Sequence, residues 1–135
     1  VRVEQATGSI SIKSLSTSDL PSATLVTGLV ENPGAISYWD FSEVDVMVSY
    51  TSTGGKVAKR LDHVCLQLCG GSGNPGDNQW SVSNINPDSY NPKMWDPDET
   101  VDISLSLVPK VQGGTSGTVV VSVQGGVTDS AYFAN

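Results

Sequence analysis

The sequence predicts an all-β protein, an antiparallel immunoglobulin-like β-sandwich of about seven or eight strands. Two observations lead to this fold class. Apolar and polar residues alternate in several short segments, which is the period of a strand with one buried and one solvated face. Short segments rich in Gly, Pro, Ser and Asn separate these runs at regular intervals, as in sandwiches built from hairpins.

The clearest strands are predicted at residues 44–50 and 101–107, where Val, Ile, Leu or Tyr occupies every second position. Residues 118–123 contain five β-branched side chains in six positions, which suits a central strand. The remaining strands are expected, in chain order, at residues 9–12, 23–30, 56–64, 79–85 and 130–133. Turns are indicated by Pro33-Gly34, Gly54-Gly55 and Gly125-Gly126.

The composition supports the same class. The 135 residues include 19 Ser, 10 Thr, 18 Val and 14 Gly, a mixture that favours strands and turns over helices. No segment combines a sustained helical period with capping residues, so helices should amount to a turn or two. At this length, residues 1–135 are expected to form a single domain.

The charge balance and the rarity of reactive side chains exclude several functions. Asp and Glu number 14 against 7 Lys and Arg, a net charge of −7, so the chain offers no basic field for a nucleic acid. A serine nucleophile needs a positioned base, and the single His has no recognisable partner motif. We therefore predict no enzymatic activity and no catalytic residues.

Cys65 and Cys69 offer two interpretations. In a straight strand their Cα atoms would lie about 13 Å apart, too far for a disulfide. The Gly70-Gly71 pair allows the chain to bend after a strand that ends earlier, so a small-loop disulfide in an oxidising compartment is expected. The alternative is two reduced, buried thiols. A metal site that adds His63 lacks a fourth ligand and is disfavoured.

The acidic residues of the segment 86–99 are the candidate metal ligands. Carboxylate oxygens in a loop are the ligands that Ca²⁺ takes, although the spacing lacks the glycine and the distal glutamate of an EF-hand. The alternative is that they are solvated turn and cap residues. The possible calcium ligands are Asp88, Asp96, Asp98 and Glu99; no other cofactor is predicted.

The aromatic residues in irregular segments are candidate contact residues. Trp39, Tyr90 and Trp95 could form a stacking surface for a sugar or for another protein, or they could be ordinary loop anchors. Joint exposure of Trp39 and Trp95 would favour binding. Trp80 lies inside a predicted strand and is expected in the core.

Five segments follow one another in an informative order. They are Val-Glu-Asn-Pro-Gly at 30–34, a strand with Asp-Val-Met-Val-Ser-Tyr at 40–51, a tryptophan strand at 77–83, Asn-Pro-Lys-Met-Trp-Asp-Pro-Asp-Glu at 91–99, and the closing strand and turn at 117–133. Together they resemble the extracellular domain of archaellum (archaeal flagellum) proteins and related type IV pilin-like chains. The chain departs from the family at Asp98, where glycine is usual, and in its cysteine pair.

The resemblance implies a non-enzymatic structural role at the cell surface, in motility or adhesion. The leading expectation is the outer domain of an archaellin-like or pilin-like filament subunit whose partner is itself, with copies meeting through the loop 86–99. The family's N-terminal hydrophobic helix is expected to be absent or removed, and membrane contact would occur only through it. The alternatives are an archaellum stator accessory protein that binds the surface layer or another envelope protein, and a secreted carbohydrate-binding module.

Overall fold

The chain forms the predicted all-β sandwich in a computed structural model that describes residues 8–88 and 92–135. Within these residues there are eight strands and three single 3₁₀ turns, at Phe41–Glu43, Gln67–Cys69 and Gln124–Gly126. The strands are β1 (Ser11–Asp19), β2 (Thr24–Glu31), β3 (Asp45–Ser52), β4 (Gly55–His63), β5 (Gln79–Asn86), β6 (Thr100–Leu107), β7 (Ser116–Ser122) and β8 (Thr128–Ala134). Among the described residues no helix has the length and apolar character needed to cross a membrane.

The strand order is β1-β2-β6-β5-β4-β3-β7-β8, in which four strands form each layer of the sandwich. Every neighbouring pair is antiparallel except β4 and β5, which run parallel and share only the pairs Asp62↔Gln79 and His63↔Trp80. This order is that of an immunoglobulin-like fold. At the opposite side the two edge strands meet, because the Ile12 amide donates to the Asp129 carboxylate at 2.8 Å.

The alternating patterns predicted for β3 and β6 place their apolar positions in the core. Val46, Val48 and Tyr50 of β3 are buried, and β6 buries its Val, Ile and Leu residues in the same manner. The first strand is longer than predicted. Residues 13–19 are mainly Ser and Thr, which gave no alternation, but β2 supplies partners to all of them except Lys13, where the register shifts.

A buried asparagine joins two loops at one end of the sandwich. Asn32 follows β2, and its side-chain amide donates to the carbonyl of Ile36 at 2.7 Å and to that of Trp95 at 3.2 Å. Its side-chain oxygen accepts from the Gly34 amide at 3.2 Å. The Asn32 backbone oxygen also accepts from the amide of Asp98. The Asn32 side chain therefore orders the loop before β3 and adds one hydrogen bond to the backbone bridge that joins it to the loop before β6.

Candidate functional site

The loop before β6 is folded into the protein, which corrects the prediction for Trp95. This tryptophan is only 1% exposed. It forms a β-bridge with Tyr38, and its indole N–H donates to the Glu99 carbonyl at 2.8 Å. A buried indole whose N–H is hydrogen-bonded is a structural anchor, so the prediction of Trp95 as a contact residue is wrong. Tyr90, the third aromatic candidate, lies outside the described residues.

The acidic residues of the same loop serve its local structure. Asp96 accepts from the Ser37 hydroxyl at 2.7 Å, and the Glu99 carboxylate accepts from the Asp96 amide at 2.8 Å. Asp88 accepts from the Lys93 amide at 2.9 Å. In residues 8–88 and 92–135, no group of three or more His, Cys, Asp and Glu side chains is arranged to hold a metal ion. Calcium binding at Asp88, Asp96, Asp98 and Glu99 stays a prediction from the sequence.

Asp98 keeps the backbone conformation that glycine would favour in this turn. Its φ is 67°, in the left-handed region. Aspartate is one of the few residues with a side chain that adopts this region at modest cost. The departure from the family pattern at this position therefore leaves the turn intact.

Trp39 is the exposed tryptophan, and it borders a surface groove of about 560 Å³. Its side chain is 64% exposed, whereas Trp80 and Trp95 are buried. The turn that follows Trp39 contributes Asp40 and Ser42 to the groove, and the end of β4 contributes His63. The groove thus brings together residues that are distant in the sequence.

The loop after β4 forms another part of the groove, and a disulfide closes it. The sulfur atoms of Cys65 and Cys69 are 2.00 Å apart and their Cα atoms 5.7 Å. β4 ends at His63, so the chain is free to turn back over this distance. Gly70 follows with φ 84°, the left-handed conformation that glycine adopts without strain. Because the two sulfur atoms are bonded to each other, they are not available as thiolate ligands.

His63 occupies the inner part of this region. Its ring packs against that of Trp80 in a tilted arrangement, with the ring centroids 4.8 Å apart and an interplanar angle of 58°. Burial lowers the pKa of the His63 imidazole below its ordinary value, and the negative charge of Asp40 opposes this shift. Lys93 also lines the groove. The groove therefore offers one carboxylate, one ammonium group and an imidazole that favours its neutral form.

A second surface lies on the outer face of the layer formed by β4, β3, β7 and β8. Met47 is 49% exposed and pairs with Val120, while Tyr132 is 80% exposed and pairs with Thr118. Ala58 lies on the same face, opposite Ser49. This face was not predicted from the sequence, although Met47 stands at a polar position of the alternating β3 pattern and is the signal that could have revealed it.

Solved structures share this fold along almost the whole chain. The archaellum periplasmic stator protein FlaG from Sulfolobus acidocaldarius covers 94% of this chain and 100% of its own, with a TM-score of 0.60 and 16% identity. The archaellum periplasmic stator protein complex FlaF and FlaG from the same organism contains a chain that covers 96% of this chain and 92% of its own, with a TM-score of 0.61 and 15% identity. At these identities the likeness establishes a common fold.

No protein-family model matches the chain, and no curated protein matches it. The similarity to the two solved structures confirms the resemblance to archaellum proteins at the level of the fold. Both neighbours are named as stator proteins, and neither is named as a filament subunit.

Proposed function

We propose that this chain is a non-enzymatic structural domain of an archaellum stator, located in the cell envelope, where it binds another envelope protein. The observation that carries this proposal is the shared fold with archaellum periplasmic stator proteins over 94% and 96% of the chain. The filament-subunit expectation has no comparable support among these neighbours. The stator alternative therefore replaces it as the leading proposal.

The disulfide and the surface composition fit this location. A disulfide persists in oxidising compartments such as the cell exterior, and the chain carries one between Cys65 and Cys69. The acidic, Ser- and Thr-rich composition keeps such a surface soluble and resistant to nonspecific association.

We assign the partner contact to the outer face of the β4-β3-β7-β8 layer. Exposed apolar side chains that lie side by side mark interaction surfaces, and Met and Tyr are enriched at interfaces. Met47, Val120 and Tyr132 supply this character here. The FlaF–FlaG complex supports the same type of role, because that neighbour is itself an assembly of two proteins.

The test is a binding experiment with immobilised chain and solubilised envelope proteins from an archaellum-bearing archaeon, with retained proteins identified by mass spectrometry. We expect a surface-layer or stator protein to be retained. Met47→Lys and Tyr132→Lys should each weaken retention by roughly tenfold or more, the loss that truncating a hot-spot residue of an interface causes. Leu29→Lys is the matched control, because Leu29 is 40% exposed on β2 in the other layer.

The filament alternative makes the opposite prediction. A filament subunit binds mainly to itself, so the purified chain would assemble into higher oligomers in sedimentation experiments and fibres in electron micrographs. Such assembly would overturn the proposed stator role. Equal retention of the partner by the wild type and both lysine variants would overturn the assigned surface.

A further inference from the structure

The groove beside Trp39 has the character of a ligand site rather than of ordinary surface. An indole is large and apolar, and tryptophan side chains are usually mostly buried. Trp39 instead remains 64% exposed, while the adjacent Tyr38 is buried and Phe41, two residues further, is 7% exposed. The volume of about 560 Å³ lies in the range of small-molecule sites.

Hydrogen-bonding groups of both kinds line the same groove. The Asp40 carboxylate accepts, the Lys93 ammonium group donates, and the Ser42 hydroxyl and the His63 imidazole can each do either. The charges of Asp40 and Lys93 balance, so the lining has no net charge when the imidazole is neutral. This balance favours a neutral ligand over an anion, which the carboxylate repels, and over a cation, which the ammonium group repels.

The groove is fixed before a ligand arrives. The disulfide closes the loop 65–69, and both of its cysteines line the groove. The His63 ring is held against the buried Trp80. Asp40 is also held, because its carboxylate accepts from the amide and the hydroxyl of Ser42. A site with restricted side chains loses little conformational entropy on binding.

We propose that this groove binds a neutral saccharide, one pyranose ring of which lies against the Trp39 indole while its hydroxyls bond to Asp40, Ser42 and His63. A pyranose combines an apolar C–H face with a rim of hydroxyls that donate and accept, which matches an exposed indole beside mixed polar groups. A proline-rich peptide also stacks on tryptophan but offers carbonyl acceptors and no N–H at its prolines. Its prolines would add no donor for the Asp40 carboxylate beyond the two that Ser42 supplies.

This inference goes beyond the proposed stator role and does not depend on it. The sequence predicts Trp39 as a contact residue together with Tyr90 and Trp95, whereas the groove places Trp39 beside Asp40, His63 and the disulfide loop. No residue that lines the groove belongs to the outer face assigned to the protein partner. Failure of one proposal therefore leaves the other standing.

The experiment uses the purified chain and follows tryptophan fluorescence during titration with cellobiose, maltose and mannobiose. Trp39 is the exposed tryptophan, so a ligand that covers it should shift the emission and protect it from acrylamide quenching. We expect at least one saccharide to give a saturable change. Glucuronic acid, glucosamine and a proline-rich decapeptide serve as anionic, cationic and peptide probes, and we expect weaker binding for each of them.

Variants connect the signal to the groove, with calorimetric titration as the readout where the tryptophan is removed. Trp39→Ala should weaken binding by roughly tenfold or more, the factor that corresponds to about 1.4 kcal/mol, whereas Trp39→Phe should retain part of it. Asp40→Asn should also weaken binding. Tyr132→Ala is the matched control, since it removes an even more exposed aromatic ring outside the groove and should change nothing.

Three results would overturn the proposal. One is the absence of saturable binding for all three neutral saccharides. Another is equal weakening by Trp39→Ala and Tyr132→Ala, which would place the binding elsewhere. The third is tighter binding of the decapeptide or of a charged sugar than of any neutral saccharide, which would assign the groove to a different ligand class. Circular dichroism of each variant excludes misfolding as the cause.

Discussion

Replacing Asn32 by alanine tests whether one buried amide holds the two loops at the end of the sandwich. The side chain is completely buried and makes three hydrogen bonds, to the carbonyls of Ile36 and Trp95 and from the amide of Gly34. Alanine cannot make any of them. The two loops would keep the backbone bridge between Tyr38 and Trp95 and the bond from Ser37 to Asp96, but lose the hydrogen bonds of the amide.

The loss of stability in Asn32→Ala depends on which hydrogen-bond partners of the Asn32 side chain find no other partner. The Trp95 carbonyl also accepts from the Tyr38 amide at 3.0 Å, so it stays paired. The Ile36 carbonyl and the Gly34 amide lose their bond to the side chain. At about 1–1.5 kcal/mol for each bond lost in a partly buried setting, we expect Asn32→Ala to lower the free energy of unfolding by about 2–3 kcal/mol.

Asn32→Asp is the sharper variant because it keeps the shape. A carboxylate still accepts from the Gly34 amide, but its other oxygen faces two carbonyl oxygens with no donor, and it buries a charge. We therefore expect a larger loss of stability than for alanine at pH 7. The loss should decrease in acid, where the carboxyl group binds a proton and regains a donor.

Urea unfolding followed by fluorescence measures these losses. With an m-value of about 2 kcal/mol/M, the alanine variant should unfold at a urea concentration lower by roughly 1–1.5 M. Asn74→Ala, in the exposed glycine-rich loop, is the control and should change stability by no more than about 0.5 kcal/mol. A loss below about 1 kcal/mol for Asn32→Ala, or an unchanged Asn32→Asp, would refute the role given to this amide.

Three further predictions concern the core, the groove and the disulfide. Gly117→Ala should lower the free energy of unfolding by about 2 kcal/mol in urea experiments, because the added methyl group overlaps the Phe133 ring; Gly113→Ala, with no atom within 4 Å, should not, and equal effects would contradict this reasoning. Because the pKa of His63 is lowered in the folded protein, the unfolded chain binds the proton more tightly, and the free energy of unfolding should rise with pH up to about 6.5 and then level off. His63→Gln should flatten this rise, and an unchanged slope would exclude His63 as its source. Reduction of the disulfide should lower the free energy of unfolding by about 2 kcal/mol, the entropic effect of a bond that closes only the short loop 65–69. Mass spectrometry of the unreduced chain should detect no free thiol.

The strands were predictable because their information is local. The period-two patterns of β3 and β6 and the β-branched run of β7 follow from the chain's own residues and needed no knowledge of distant partners. β1 was underestimated because its Ser and Thr residues become a strand only through pairing with β2. The sequence thus predicts strands with an apolar face more completely than strands that form only because they pair with an adjacent strand of the sheet.

The groove and the hydrogen bonds of the Asn32 side chain could not be predicted from the sequence, because they depend on contacts between distant segments. Asn32 bonds to a carbonyl 63 positions along the chain, and no spacing rule predicts that pair. Trp39 and Trp95 looked equivalent as tryptophans in irregular segments, yet a β-bridge draws only Trp95 into the core. The distinction between an anchor and an exposed aromatic residue required the fold.

The meeting of the two edge strands has a consequence for how this domain can assemble. Edge strands commonly present unpaired backbone groups that another chain can extend by β-augmentation. Here the Ile12 amide is already bonded to Asp129, and Thr17 donates to the Ala134 carbonyl at 3.2 Å. A foreign strand must displace these contacts before it can pair at this seam. Neighbouring copies are thereby kept from pairing strand to strand at this seam.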